Sequence, residues 1–312
     1  MWRKWMMLDE IRIKQAIESG QIQGYYDWQD VGVFGVPSFQ VKTVSNGVSI
    51  ETIAPFVIDL GVIDANTLKR IVNNHNRENG CVISLKSYFL VDKSDNIAWV
   101  ILDYLVPALD NDSIWLKKIA HPIHSLANQN LLDYLNKLEL INALKPLVEW
   151  PQGFSKFVLD NRPRSRGVGT QLVADRSLPV LMEMLSADYE ILPGQTQQNY
   201  ALFYKDTLSD KVREATLSLR DSIIADCPFL ELRSILARFD KRQVENMVDF
   251  STNVNAATQT PLVLFVEMVQ GEGILVAKNI LPLLPMMPFS LIKDFIGISM
   301  DGINDIIDCW IV

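Results

Sequence analysis

Residues 206–226 read DTLSDKVREATLSLRDSIIAD, and the period assigned to this stretch decides the fold class. Leu208, Val212, Ala215, Leu219 and Ile223 recur at spacings of three and four, which lays one apolar stripe along a helix. Pro228 then restarts the chain into a second expected helix, with Leu232, Ile235, Leu236 and Phe239 turned inward. Upstream, Ser177 and Pro179 open a helix holding Leu181, Met182 and Leu185, and Ser125 caps one holding Leu131, Leu132, Leu135 and Leu138. Pro146 and Pro151 punctuate the chain around Trp150. Downstream, Ser251 to Thr260 (STNVNAATQT) is uncharged and polar, and reads as a loop or cap.

Toward the N-terminus the pattern changes. Residues 9–19 have an amphipathic helical look, with Gly20 as a stop and an aromatic stretch at Tyr25, Tyr26 and Trp28. Phe39 to Val44 and Val48 to Ile53 read as strands joined by Ser45-Asn46-Gly47, a strong local hairpin signal. Asp64 is placed to cap a helix reaching about Asn74 with Leu68, Ile71 and Val72 on one side. A second hairpin follows: CVISLKSYFLV at 81–91, the polar turn DKSDN, then IAWVILDYLV. The expected fold is therefore α+β. A small, mostly antiparallel sheet with helices occupies 1–110, and a predominantly α-helical part occupies 111–312, packed with the first or separate from it. No internal repeat is evident.

Composition bounds the function without selecting one. The 312 residues are 48% hydrophobic and 21% charged, too apolar for a disordered chain and ample for a core. A net charge of −8 disfavours a broad nucleic-acid surface. From residue 251 onward only Lys278 and Lys293 stand against six acidic residues, so that tail supplies half of the net charge. Cys81, Cys227 and Cys309 are too few and too scattered for a disulfide framework or a thiolate metal site. Acidic Asp9 and Glu10 follow the N-terminal basic pair, which argues against a secretory signal. Between Asn279 and Ile292 the uncharged run is fourteen residues, short of the roughly 20 a membrane-spanning helix needs. The chain is read as soluble and cytoplasmic, with this apolar tail serving as core or interface.

The one motif-like stretch is Asn161 to Thr170. Arg162, Arg164 and Arg166 alternate, so an extended backbone would turn all three guanidiniums to one side; Gly167, Gly169 and Thr170 follow. That pattern suits an anion, although it is neither a Walker loop nor a dinucleotide fingerprint. On the expected helix after Asp64, Lys69, Arg70, Asn73, Asn74 and Arg77 could touch phosphates or bases, as in a winged helix; a solvated face is the simpler reading. His121 and His124 have the spacing of a metal-ligand pair, with Asp110, Asp112 or Glu78 as a third donor. Pro122 interrupts their helical presentation, and no metal is assigned. Lys86 with Asp92, Asp95 and Asp103 brackets the second hairpin in a manner that a metal-dependent nuclease could use, but the second strand lacks the lysine such a site needs. His75 could be a general base only if folding brings a serine or acid to it, and no Gly-x-Ser-x-Gly elbow is present. No cofactor motif and no catalytic residue can be named, and whether the chain is an enzyme is left open. The expectation is a binding or regulatory protein working through a protein partner or a homo-oligomer. The alternative is a binder of, or enzyme on, phosphate esters or nucleic acid using residues 162–166.

Overall fold

The computed structural model describes residues 38–44, 47–78, 85–107, 135–146, 155–156, 178–187, 189–194, 199–205, 212–220, 228–258, 260–283 and 289–311. They form two compact units. The first holds the described residues up to 156 together with 252–258; the second holds 178–251 and 260–311. The expected helix at 9–19, most of the one after Ser125, the segment Asn161–Thr170 and the histidines at 121 and 124 lie outside the described residues.

The first unit is built on strands β1 (Ser38–Val44), β2 (Gly47–Asp59), β3 (Leu85–Asp92) and β4 (Ile97–Pro107), with helix α1 (Ala65–Glu78) between β2 and β3. Short strands β5 (Leu144–Pro146) and β6 (Ser155–Lys156) complete an antiparallel sheet of order β3-β4-β2-β1-β6, with β5 on β2. Both expected hairpins are present: Val44 pairs with Gly47, and Asp92 pairs with Ile97. The α1 start follows from Asp64, whose Oδ1 accepts the backbone N–H groups of Asn66 (2.9 Å) and Thr67 (3.0 Å). Thr67 Oγ1 donates to its Oδ2 at 2.6 Å. These bonds satisfy donors that a helix start otherwise leaves open. Helix α1 buries Leu68, Ile71, Val72 and His75 on the face of β3 that carries Ser87.

The second unit corrects the expected fold class: among the described residues there is no predominantly helical C-terminal part. After α2 (Leu178–Leu185), the strands β7 (Glu190–Pro193), β8 (Asn199–Lys205), β9 (Val212–Arg220) and β10 (Phe229–Phe239) follow in series. Helix α3 (Val244–Ala257), which counts with this unit as far as Ser251, strands β11 (Val263–Val269) and β12 (Glu272–Pro282), and helix α4 (Phe289–Ile306) complete it. The sheet is antiparallel, in the order β11-β12-β10-β9-β8-β7. The helix expected over 206–226 is strand β9 in its described part, and the helix expected after Pro228 is strand β10. Burial shows why. Val212, which the helical stripe needs inside, is 64% exposed, whereas Leu217, which that stripe leaves out, is fully buried. Ala215 and Leu217 point inward at period two, and burying one leucine contributes roughly 1.5–3 kcal/mol.

The polar segment 251–260, expected as a loop or cap, is helical through Ala257. Its helix is launched by Asp240, which accepts the Arg242 N–H at 2.8 Å ahead of a single 3₁₀ turn. Two of its hydroxyls turn back on the helix: Ser251 to the Val248 carbonyl (3.0 Å), Thr258 to that of Val254 (2.8 Å). Helix α4 buries Ile292, Ile296, Met300, Ile303 and Ile306 along one stripe, so the apolar tail is core, as expected. Among the described residues no helix is long and apolar enough to cross a membrane.

The two units repeat one topology, which sequence inspection did not reveal. Each runs strand, strand, fourteen-residue helix, strand, strand, and each sheet places these as third, fourth, second, first. Each second strand also has a register break at the same place. In the first unit it follows Ile53, opposite Ile101; in the second it follows Ile235, opposite Val276. The break spans Ala54–Phe56 in one and Leu236 in the other, and it matches the residues that precede it position by position.

Candidate functional site, a buried charged row

Register brings the chemistry-bearing residues of the first unit together. Lys86 on β3 pairs with Asp103 on β4, and Asp103 pairs with Glu51 on β2. The three side chains stand in a row across three strands, on the face opposite α1. All three residues are buried. Lys86 Nζ lies 3.9 Å from Asp103 Oδ2 and donates to the Thr258 carbonyl at 2.7 Å. Tyr88, two residues along β3 and therefore on the same face, donates its hydroxyl to Glu51 Oε1 at 2.9 Å. Below the row, Ile53, Val57, Tyr88 and Ile101 form an apolar cluster with Ile97 and Trp99 against it.

Burial sets the electrostatics. It pushes the Lys86 ammonium below the usual lysine range, while Asp103 and then Glu51 act the other way and favour its charge. The Tyr88 phenol is pushed up by burial first, then by the charges of Glu51 and Asp103, and it is a neutral donor at physiological pH. In the row, the Lys86 ammonium faces the Asp103 carboxylate and donates to a backbone carbonyl, and the Tyr88 phenol donates to Glu51. Among the described residues, no group of three or more His, Cys, Asp or Glu side chains is arranged to hold a metal ion.

On the opposite face of β3, the His75 Nδ1 and Ser87 Oγ atoms are in hydrogen-bond contact. Asn76 clasps the Ser87 backbone: its Oδ1 accepts the Ser87 N–H (2.6 Å) and its Nδ2 donates to the Ser87 carbonyl (2.9 Å). Folding thus brings a serine to His75, and both side chains are buried, His75 packing between α1 and β3.

The second unit carries a related row at equivalent positions. Lys278 on β12 pairs with Arg233 on β10 and Val263 on β11. Phe265 lies beneath, with the Lys278 ammonium 5.1 Å and the Arg233 guanidinium carbon 5.6 Å from its ring centre. Arg233 is ion-paired with Glu267. Correspondence by strand and register break matches Glu51 with Arg233, Asp103 with Lys278, and Tyr88 with Phe265.

The residues singled out from sequence fare unevenly. Lys86 and Asp103 come together as neighbours, joined by Glu51, which sequence reading passed over. Asp92 is a turn residue, its Oδ1 accepting from the Ser94 N–H (2.8 Å) and hydroxyl (2.5 Å), and Asp95 lies in the same turn. Lys69, Arg70, Asn73 and Arg77 all lie on α1. Asn73 is buried, Arg70 is exposed, and Arg77 pairs with Glu78 at 3.0 Å. Arg162, Arg164, Arg166, Gly167, Gly169 and Thr170, with His121 and His124, lie outside the described residues.

Comparisons with known proteins supply no family. No protein-family model matches the chain, and no curated protein matches it significantly. Among solved structures, the chain is similar to the crystal structure of YbjN, a candidate transcription regulator from E. coli. That likeness has 16% identity and a TM-score of 0.32, and covers 42% of this chain and 89% of that one. At that level it supports no functional assignment.

Proposed function

We propose that this chain is a non-enzymatic binding or regulatory protein that works through protein–protein contacts or self-association. The observation that carries the reading is the contrast between its interior and its strand ends. The buried charges of the first unit close on internal partners, leaving Lys86, Asp103, Glu51 and Tyr88 committed to one another and to the Thr258 carbonyl. Large apolar side chains meanwhile stay exposed where strands border solvent: Leu90 and Val91 on β3, Leu192 on β7, Met268 and Val269 on β11. Exposed apolar groups on edge strands favour contact with another chain.

The test is the native size of the full chain in extract of its own cells, by gel filtration with light scattering, beside the purified protein over a concentration series. An assembly heavier than the 35.4 kDa chain, in extract or in pure form, is the expected result. A chain that runs at that mass in both, at every concentration, refutes the reading.

A further inference from the structure

Strand β3 ends the first sheet among the described residues, and its outer edge is half closed and half open. The hairpin closes at Asp92 and Ile97, and Asn76 occupies the backbone N–H and carbonyl of Ser87 from outside the sheet. Ser87 therefore directs its backbone groups away from β4. Backbone direction alternates along an antiparallel strand, so Phe89 and Val91 direct theirs outward too. No described residue bonds these outward groups. Here the side chains are also open, Leu90 being 39% and Val91 42% exposed. Edge strands are ordinarily blunted by a charge, a proline, a bulge or a covering element. Asn76 does this at Ser87, and nothing described does it across Phe89-Leu90-Val91.

We infer that this open half-edge pairs antiparallel with the same half-edge of a second copy of the chain. The inference rests on the functional reading above and names its surface and partner. The geometry selects a second copy because the open groups are self-complementary. A two-fold axis at Leu90 sets Phe89 against Val91 of the copy and Val91 against its Phe89. Each such pair exchanges two backbone bonds, which uses every outward group at both residues and leaves none over. Leu90 then faces Leu90 of the copy as the close pair between them, on the face that carries Tyr88. The Asn76 clasp at Ser87 stops the pairing at that end in each copy. An interface of three residues per chain is far below the roughly 800 Å² per partner of a stable complex, so the pair forms in a concentration-dependent way.

Sedimentation velocity of the full chain, from low to high micromolar concentration, tests this with charge variants at the axis. Wild type is expected to shift from monomer toward dimer as concentration rises. Leu90→Lys and Leu90→Glu each place like charges opposite one another and should weaken association by roughly tenfold or more; an equimolar mixture of the two should recover it. Val91→Pro deletes an outward N–H that no ladder bond uses, so it should also weaken association while far-UV circular dichroism stays unchanged. A wild type that remains monomeric throughout overturns the inference. So does a dimer that all three variants leave intact, or a mixture that associates no better than its components. If the chain forms a larger assembly in extract while these results fail, the edge pairing is wrong and the broader reading stands.

Discussion

Replacing Lys86 by methionine keeps the unbranched stem and deletes the ammonium, so the packing of β3 is nearly preserved while the charged row loses its cation. The side chain is 4% exposed, which leaves little room for water to take the ammonium's place. Its Coulomb attraction to Asp103 across 3.9 Å is worth about 4 kcal/mol at an effective dielectric constant of about 20, and this gross figure is offset by the cost of burying both groups. The loss on mutation is set instead by what remains. Buried Asp103 loses the ammonium 3.9 Å away, and the Thr258 carbonyl loses its 2.7 Å donor. Breaking a buried pair from one side costs about 3–5 kcal/mol, and that is the expected destabilisation of the first unit. Adding Asp103→Asn removes the charge that Lys86 faced, so the double variant should be more stable than Lys86→Met alone, with a coupling on the order of 1–3 kcal/mol.

Because the chain has two units, global unfolding need not be one transition, and the assay must resolve the first unit. Hydrogen exchange read by mass spectrometry on peptides from 85–107, across a guanidinium series, does so. The pH dependence has a definite sign. Burial holds the folded-state pKa of Lys86 below its unfolded value of 10.5, so between the two the unfolded chain binds the extra proton. This group's contribution to stability therefore rises with pH through that window. A loss below about 1 kcal/mol in Lys86→Met, with no gain from adding Asp103→Asn, refutes the electrostatic account of the row.

Tyr88 acts with the opposite sign: its folded pKa lies above the unfolded value of 10.0, so its stabilisation is complete below that pH and is lost as pH rises beyond it. Tyr88→Phe should cost about 1.5–3 kcal/mol at neutral pH by removing a donor from Glu51, and should abolish the Tyr88 part of the alkaline slope, read from denaturation curves between neutral and alkaline pH. In the second unit, a Cβ added at Gly273 would lie 2.2 Å from the Phe239 ring, so Gly273→Ala should cost about 1–3 kcal/mol, measured by exchange in peptides from 263–282. The β11–β12 connection is a two-residue turn with positive φ at Gln270 (52°) and Gly271 (89°), so Gly271→Ala should cost about 1–2 kcal/mol and Gln270→Asn should raise the midpoint of the same transition.

How much was legible in the sequence depended on how local the signal was. The hairpin that pairs Val44 with Gly47, the Asp64 cap and the DKSDN turn are local signals, and the structure bears them out. VREATLSLR was ambiguous because its apolar residues satisfy two periods at once: Val212, Ala215 and Leu219 fit a helix, while Ala215, Leu217 and Leu219 fit a strand. Only sheet neighbours decide between them, and Leu217 pairs with Tyr200 on one side and Leu232 on the other. The segment STNVNAATQT failed for the opposite reason. Its small polar residues disfavour a helix interior by offering side-chain bonds to the backbone, yet here Ser251 and Thr258 close theirs on helix carbonyls while Val248 and Val254 pack inward. At the charged row, Lys86 and Asp103 are seen from one hairpin, but Glu51 joins through β2, which lies beside β4 although α1 and β3 separate them along the chain.

The same distinction accounts for a repeat that the sequence does not display. Between the two units the strand order, the helix length and the register break after Ile53 and Ile235 recur, while the residues on the face opposite the helix change character. Where the first unit has Glu51 and Asp103, the second has Arg233 and Lys278, with an aromatic ring beside each pair. The solutions differ accordingly: two carboxylates are closed by Lys86 and the Tyr88 hydroxyl, whereas two cations are held by Glu267 and the Phe265 face. The first row is buried and in the second only Lys278 is, Arg233 and Glu267 being partly exposed; a buried charge demands local compensation and leaves its sign open. Backbone register obeys a stricter rule, because a slip of one residue would turn every inward side chain outward. The two halves therefore keep the constraint that tolerates no change and diverge in the one that admits more than one answer.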